Sequence, residues 1–159
     1  MADDQDPRPA GRRHAPTERH GPGRAVRRMG LLVALVGAVF VVAGIATYVV
    51  VGVTLADENI TVSDDAAYFA GDAVNGPFTA YVQADTIAKH AEKIAGGKTY
   101  AELPQDDPNR DSVMTASFLR ASLFTSVVAF GVAALVTVLG LVLVGLGWAL
   151  RKIGAELTP

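Results

Sequence analysis

Few side chains in this sequence could carry out chemistry. It has three histidines, His14, His20 and His90, and no cysteine. A non-haem iron site needs two histidines and a carboxylate together, and an activated nucleophile needs a base that a third group orients. His14 and His20 lie in a charged N-terminal segment, whereas His90 stands alone much later in the chain. We therefore predict that the protein is not an enzyme and that it holds no metal and no cofactor.

A short acidic run gives the best match to a metal-binding motif. Asp107, Asn109 and Asp111 follow the D-x-N-x-D spacing that opens a calcium loop. Such a loop also needs a turn glycine and a later bidentate carboxylate, and Ser112 and Phe118 occupy those two positions. The run therefore favours a turn and a helix cap over a calcium site.

Two apolar blocks decide the predicted class of the protein. Residues 29–56 and 121–150 contain no Asp, Glu, Lys, Arg, His, Asn or Gln. Each block is longer than the roughly 20 residues that cross a hydrocarbon core about 30 Å thick, and neither keeps the polar face of a soluble helix. The predicted fold is an all-α membrane protein: a two-helix transmembrane hairpin with a small, mostly helical extracytoplasmic insert and a disordered N-terminal tail.

The distribution of basic residues predicts the orientation of this hairpin. Eight Lys or Arg residues flank the blocks on the side of the two termini, and two flank them on the loop side. The positive-inside rule then places both termini in the cytoplasm and the loop outside the cell membrane. The predicted segments are a disordered basic tail (1–28), a first transmembrane helix (29–56), an extracytoplasmic segment (57–112), a second transmembrane helix with an outer extension (113–150) and a cytoplasmic tail (151–159).

The outer segment is acidic and poor in large apolar residues, with eleven Asp or Glu against four Lys or Arg. A short extended piece is predicted over 60–62 and a helical turn over 63–69. A longer helix is predicted over 79–95, with an apolar stripe of Ala80, Ala84, Ile87, Ala88, Ala91, Ile94 and Ala95. Because so small a core is marginal, we expect the segment to lean on the membrane or on a partner.

Small residues recur in both apolar blocks at steps of three, four and seven. Such seams let two helix backbones approach closely in lipid, either within a hairpin or between chains. The alternative is that glycine and alanine are simply common in membrane helices. The predicted helix-packing residues are Gly30, Ala34, Gly37, Gly44, Ser126, Ala129, Ala133, Thr137, Gly140 and Gly147.

A second set of residues is predicted to lie at the membrane interfaces. Aromatic side chains anchor helix ends there, and long basic side chains reach towards phosphate. The predicted interface residues are Arg27, Arg28, Tyr48, Arg120, Trp148, Arg151 and Lys152. No ionisable residue is predicted at membrane depth, which disfavours transport by this chain alone.

Four stretches resemble a family of small two-span actinobacterial membrane proteins: ITVSDDA (60–66), NGPFTAYVQAD (75–85), GGKTYAEL (96–103) and SFLRASLFTSVVAFGVAAL (117–135). The similarity covers roughly residues 26–150. Members of this family often carry the label aromatic ring-opening dioxygenase, which would imply an iron enzyme. Since the histidines here do not support such a site, the resemblance implies no catalytic residue in this chain.

These observations lead to two functional hypotheses. The first is a non-enzymatic accessory or assembly subunit of a larger cell-envelope membrane complex. The alternative is an extracytoplasmic module that binds or senses a ligand or envelope material. The expected partners are the lipid bilayer and another membrane protein or a second copy of the chain, with no nucleic acid.

Overall fold

The computed structural model describes residues 22–157. It contains three α-helices, α1 (Pro22–Asp57), α2 (Pro77–Ile94) and α3 (Arg110–Glu156), and a 3₁₀ turn (Tyr100–Glu102). Over these residues there is no β-strand, only one isolated antiparallel bridge between Thr61 and Ala73. The prediction of an all-helical chain is confirmed. Residues 1–21, which the sequence predicts to be disordered, lie outside the described residues. Residues 158–159 of the C-terminal tail do so as well.

Two of the helices, α1 and α3, are long and apolar enough to cross a membrane. With 36 and 47 residues, they are about 54 and 70 Å long at 1.5 Å per residue. Both lengths exceed a hydrocarbon core of about 30 Å. Each helix therefore has room for a membrane span and for an extension beyond it.

The helices extend further than the predicted segments. α1 begins at Pro22, so the last part of the predicted tail (1–28) is helical. Proline at the first helical position has the φ value that the helix needs and lacks only an N–H that would be unpaired there. α3 begins at Arg110 after Asn109, slightly before the predicted start at residue 113, and it continues past residue 150 to Glu156.

α1 and α3 pack against each other along most of their length, and α2 packs against α3. The principal buried cluster joins all three helices to the loop between α1 and α2. Its largest fully buried side chains are Phe130 on α3 and Val62 and Val74 in that loop. The outer segment thus shares its core with the long helices, because its own apolar residues are too few to form one.

The loop between α1 and α2 differs from the prediction of a helical turn over residues 63–69, since only a single turn closes there, with Ala66 N–H donating to Ser63 O at 3.0 Å. Backbone hydrogen bonds instead connect Val62 N–H to Asp72 O at 2.9 Å and Val74 N–H to Ile60 O at 2.8 Å. The chain reverses between them through Phe69 and Gly71, both with positive φ. Burial of Val62 and Val74 against the long helices favours this reversal over the local helical turn.

The helix predicted over 79–95 is observed over Pro77–Ile94. Its buried face is rotated from the predicted stripe, since Ile94 is 50% exposed whereas Gln83 and Thr86 are buried. The Thr86 hydroxyl donates to Val82 O at 2.9 Å, and the Gln83 side chain accepts hydrogen bonds from Ser63 in the loop between α1 and α2. Satisfied hydrogen bonds make burial of these polar side chains tolerable.

Candidate functional site: a glycine seam and an outer cavity

The interface between α1 and α3 is built on glycines spaced seven residues apart. Gly30, Gly37 and Gly44 of α1 are buried against α3. A Cβ atom on Gly37 would lie 2.7 Å from Gly140 O, and one on Gly30 would lie 2.7 Å from Gly147 O. Real Cβ atoms do not come this close to other atoms, so only glycine allows the two backbones to pack at this separation.

The order of these contacts shows that α1 and α3 run antiparallel. Gly30 meets Gly147, Gly37 meets Gly140, and Gly44 meets the turn of Ala133 and Thr137. The Thr137 hydroxyl donates to Ala133 O at 2.9 Å, so its polar group is satisfied within α3. The structure thus brings together seven of the predicted packing residues: Gly30, Gly37, Gly44, Ala133, Thr137, Gly140 and Gly147. Ala34 joins them, since its Cβ faces Gly147.

Two further residues of the seam, Gly23 on α1 and Gly154 on α3, were not predicted from the sequence. A Cβ atom on Gly154 would lie 2.8 Å from Gly23 O. Each of these glycines lies seven residues beyond a predicted packing glycine, in segments predicted to be tails. Extending the seven-residue step past the ends of the apolar blocks would have found both.

Towards the loop side the seam opens into a cavity of about 530 Å³. One seven-residue step beyond Gly44 and Ala133, the facing positions are Val51 on α1 and Ser126 on α3. Both residues line the cavity, as does the predicted packing residue Ala129. Because Val51 carries a branched side chain where the seam has glycine, the glycine-to-glycine packing cannot continue here.

Gln83 of α2 lies at the edge of this cavity. It is only 8% exposed, and its Oε1 accepts hydrogen bonds from Ser63 N–H at 2.9 Å and from the Ser63 hydroxyl at 3.3 Å. Its Nε2 has no hydrogen-bond partner among the described residues. Since no side-chain nitrogen or oxygen in residues 22–157 is both fully buried and unpaired, we place this amide nitrogen at the cavity surface.

The basic residues predicted for the interface near the termini lie together. Arg27, Arg28 and Arg151 line one groove with Arg24 and Leu31. Lys152 Nζ lies 5.1 Å from the centre of the Trp148 ring, a cation–π contact.

The remaining two predicted interface residues, Tyr48 and Arg120, pack on aromatic rings. Tyr48 packs edge-on against Phe130 with ring centres 4.8 Å apart. The Arg120 guanidinium lies 5.3 Å from the centre of the Phe124 ring. Tyr48 is 41% exposed, so it contacts the buried Phe130 ring while part of its own surface stays open on α1.

At the N-terminal end of α3, Arg110 holds the turn that precedes it. Its guanidinium donates to Leu103 O, to Tyr100 O at 3.4 Å and to Pro104 O at 3.5 Å. It also lies 4.3 Å from the centre of the Tyr100 ring. In the calcium-like run, the Asp107 carboxylate accepts from Asn109 N–H at 2.8 Å. This run therefore forms a turn at the start of α3, as the sequence predicts.

His90 has an ion-pair geometry with Asp65, which connects α2 to the loop. Its Nε2 lies 2.6 Å from Asp65 Oδ2, and both side chains are partly exposed. Hydrogen bonding to His90 lowers the pKa of the Asp65 carboxyl below its ordinary value of 3.8. No group of three His, Asp or Glu side chains within residues 22–157 is arranged to hold a metal ion.

Scans of protein-family models, curated proteins and solved structures each find no match. The resemblance to two-span actinobacterial membrane proteins therefore stays a prediction from the sequence.

Proposed function

We propose that the protein is a non-enzymatic membrane protein that acts as an accessory or assembly subunit of a larger cell-envelope complex. In this proposal α1 and α3 form a transmembrane hairpin, both termini face the cytoplasm, and residues 58–109 lie outside. The glycine seam supports the hairpin, since close backbone packing is how helices associate in lipid. The excess of Lys and Arg beside the termini, several of which line the basic groove, supports the orientation.

One observation carries the proposal of a partner subunit: two glycines of α3 lie outside the seam. A Cβ atom on Gly131 or on Gly145 would meet nothing within 4 Å, and both residues are exposed. They lie two seven-residue steps apart on one face of α3, which matches the seam spacing. Val138, at the step between them, carries an exposed branched side chain, so a second helix can approach closely at each of the two glycines but not continuously along the face.

We expect the orientation to show in cysteine labelling. Single cysteines placed at Asp72 and at Ala155 use the cysteine-free sequence as a clean background. In intact cells an impermeant thiol reagent should label position 72 and leave position 155 unlabelled, because basic flanks stay in the cytoplasm. Labelling of position 155 in intact cells, or labelling of position 72 only after the cells are opened with detergent, would contradict the respective part of this orientation.

Mild detergent extraction should recover the protein with a membrane partner at a fixed ratio. Replacing Gly145 by Leu should reduce the recovered partner by about tenfold, because the added side chain separates the two helix backbones. Replacing Leu146 by Ala, at an exposed position beside it, is the control and should leave recovery unchanged. Recovery of the chain without any stoichiometric protein, or equal recovery from both variants, would contradict the accessory role.

A further inference from the structure

The cavity at the end of the seam has the depth of one lipid leaflet. This step rests on the proposed transmembrane placement of α1 and α3. Along α3 its wall extends from Leu119 to Ala129, about 15 Å at 1.5 Å per residue. That is about half of a hydrocarbon core of roughly 30 Å. In the proposed orientation, the cavity lies in the outer leaflet.

The two ends of the cavity differ in chemistry. Its deep end is lined by Val50, Val51 and Ala129, and its outer end carries the polar Glu58 and Gln83 beside the apolar Ile60, Ile87 and Leu119. A volume of about 530 Å³ lies in the range of pockets that hold small ligands. The occupant that fits has an apolar chain at one end and polar groups at the other.

Gln83 identifies the polar group that such an occupant needs at this position. The residue is only 8% exposed, its Oε1 already accepts hydrogen bonds from Ser63, and its Nε2 remains to donate. An amide N–H beside apolar walls is stabilised by an acceptor. Ester carbonyl and phosphate oxygens, which lie between the chains and the headgroup of a phospholipid, are such acceptors.

Glu58 indicates the charge of the headgroup. Its side chain lines the outer end of the cavity, and the surrounding segment is acidic. A carboxylate repels a headgroup of net negative charge and attracts an ammonium group. We propose that the cavity binds one outer-leaflet phosphatidylethanolamine, with an acyl chain along Val51 and Ala129, an ester or phosphate oxygen on Gln83 Nε2 and the ammonium group near Glu58.

The test uses the full chain, purified in a neutral detergent and given either phosphatidylethanolamine or anionic phosphatidylglycerol. Native mass spectrometry counts the lipids that each chain retains. We expect one retained phosphatidylethanolamine per chain, and about tenfold less phosphatidylglycerol because of the repulsion at Glu58. Equal retention of the two lipids would overturn the proposed headgroup.

Two variants test the site itself. Ala129→Phe fills the deep end and should lower retention by about tenfold, whereas Val128→Phe, at a 64% exposed position beside it, should not. Gln83→Glu keeps an oxygen for Ser63 but loses the amide donor and adds a charge, so retention should also fall about tenfold. Equal retention by Ala129→Phe and Val128→Phe would mean that the lipid sits on the outer surface, and would overturn the site.

The accessory role is read out separately. Recovery of the membrane partner depends on Gly145, which does not line this cavity. Loss of lipid from Ala129→Phe in a protein that recovers no partner would support the lipid site and contradict the accessory role. If a partner is recovered and Ala129→Phe does not change lipid retention, the result would support the accessory role and contradict the lipid site.

Discussion

Replacing Gly44 by Leu should weaken the association of α1 and α3 by about 1 to 3 kcal/mol. A Cβ atom at this position would lie 2.7 Å from Ala133 O and would also collide with the Thr137 hydroxyl. Backbone atoms cannot move aside as a flexible side chain can, so the helices must separate. Because lipid provides no hydrophobic driving force between helices, the lost packing has no substitute. The measurement is resistance of the purified protein to unfolding by a denaturing detergent.

Two controls separate the seam from general effects of leucine in a helix. Val42→Leu changes a side chain that is 68% exposed. Gly145→Leu makes the same substitution where a Cβ atom meets nothing within 4 Å. Both variants of the purified chain should resist the detergent as the original does. If Gly44→Leu behaves like these two, the seam reflects ordinary membrane-helix composition and makes no specific contribution to packing.

Replacing Phe130 by Ala should have the largest effect on the outer segment, about 3 to 5 kcal/mol of its stability. The ring is 1% exposed, it packs against Tyr48 with ring centres 4.8 Å apart, and it belongs to the cluster that contains Val62 and Val74. Its removal leaves a cavity where the loop between α1 and α2 meets the long helices. We expect this loop to become sensitive to proteolysis at concentrations that leave the original protein intact.

Phe118→Ala is the matched control, since that ring is on the same helix but 68% exposed. It should leave the cleavage rate nearly unchanged, because little buried contact is lost. Equal cleavage of the two variants would show that the loop does not depend on the shared core. Unchanged cleavage of Phe130→Ala would show the same.

The long helices and their seam follow closely from local sequence patterns. The absence of charged residues over 29–56 and 121–150 predicts the helices, and the seven-residue glycine spacing predicts the faces that meet. The helix ends were less predictable, because Gly23 and Gly154 lie among basic residues that also suit a disordered tail. The contact between these two glycines stabilises helical structure in segments whose composition alone does not favour a helix.

The outer segment shows what a local pattern cannot determine. Gln83 borders the predicted apolar stripe, but its polar side chain gave no sign of burial; it is buried because Ser63, twenty residues earlier, supplies its hydrogen-bond donors. The predicted helical turn does not continue to residue 69, because Val62 and Val74 are buried in one cluster with residues of the helices and the chain reverses between them. In both cases a partner distant in sequence decides the conformation.

By itself, the sequence determined two long apolar helices, the small-residue face of each and an acidic connecting segment, because spacing and hydrophobicity act within one helix and repeat along it. The tertiary structure decided that these faces meet antiparallel within one chain. The tertiary structure alone decided where the seam ends, which polar side chain is buried beside the cavity, and how the loop packs over the outer ends of the helices. These features depend on three separate parts of the chain meeting at one place. Their energies come from contacts between side chains that no single periodic pattern contains.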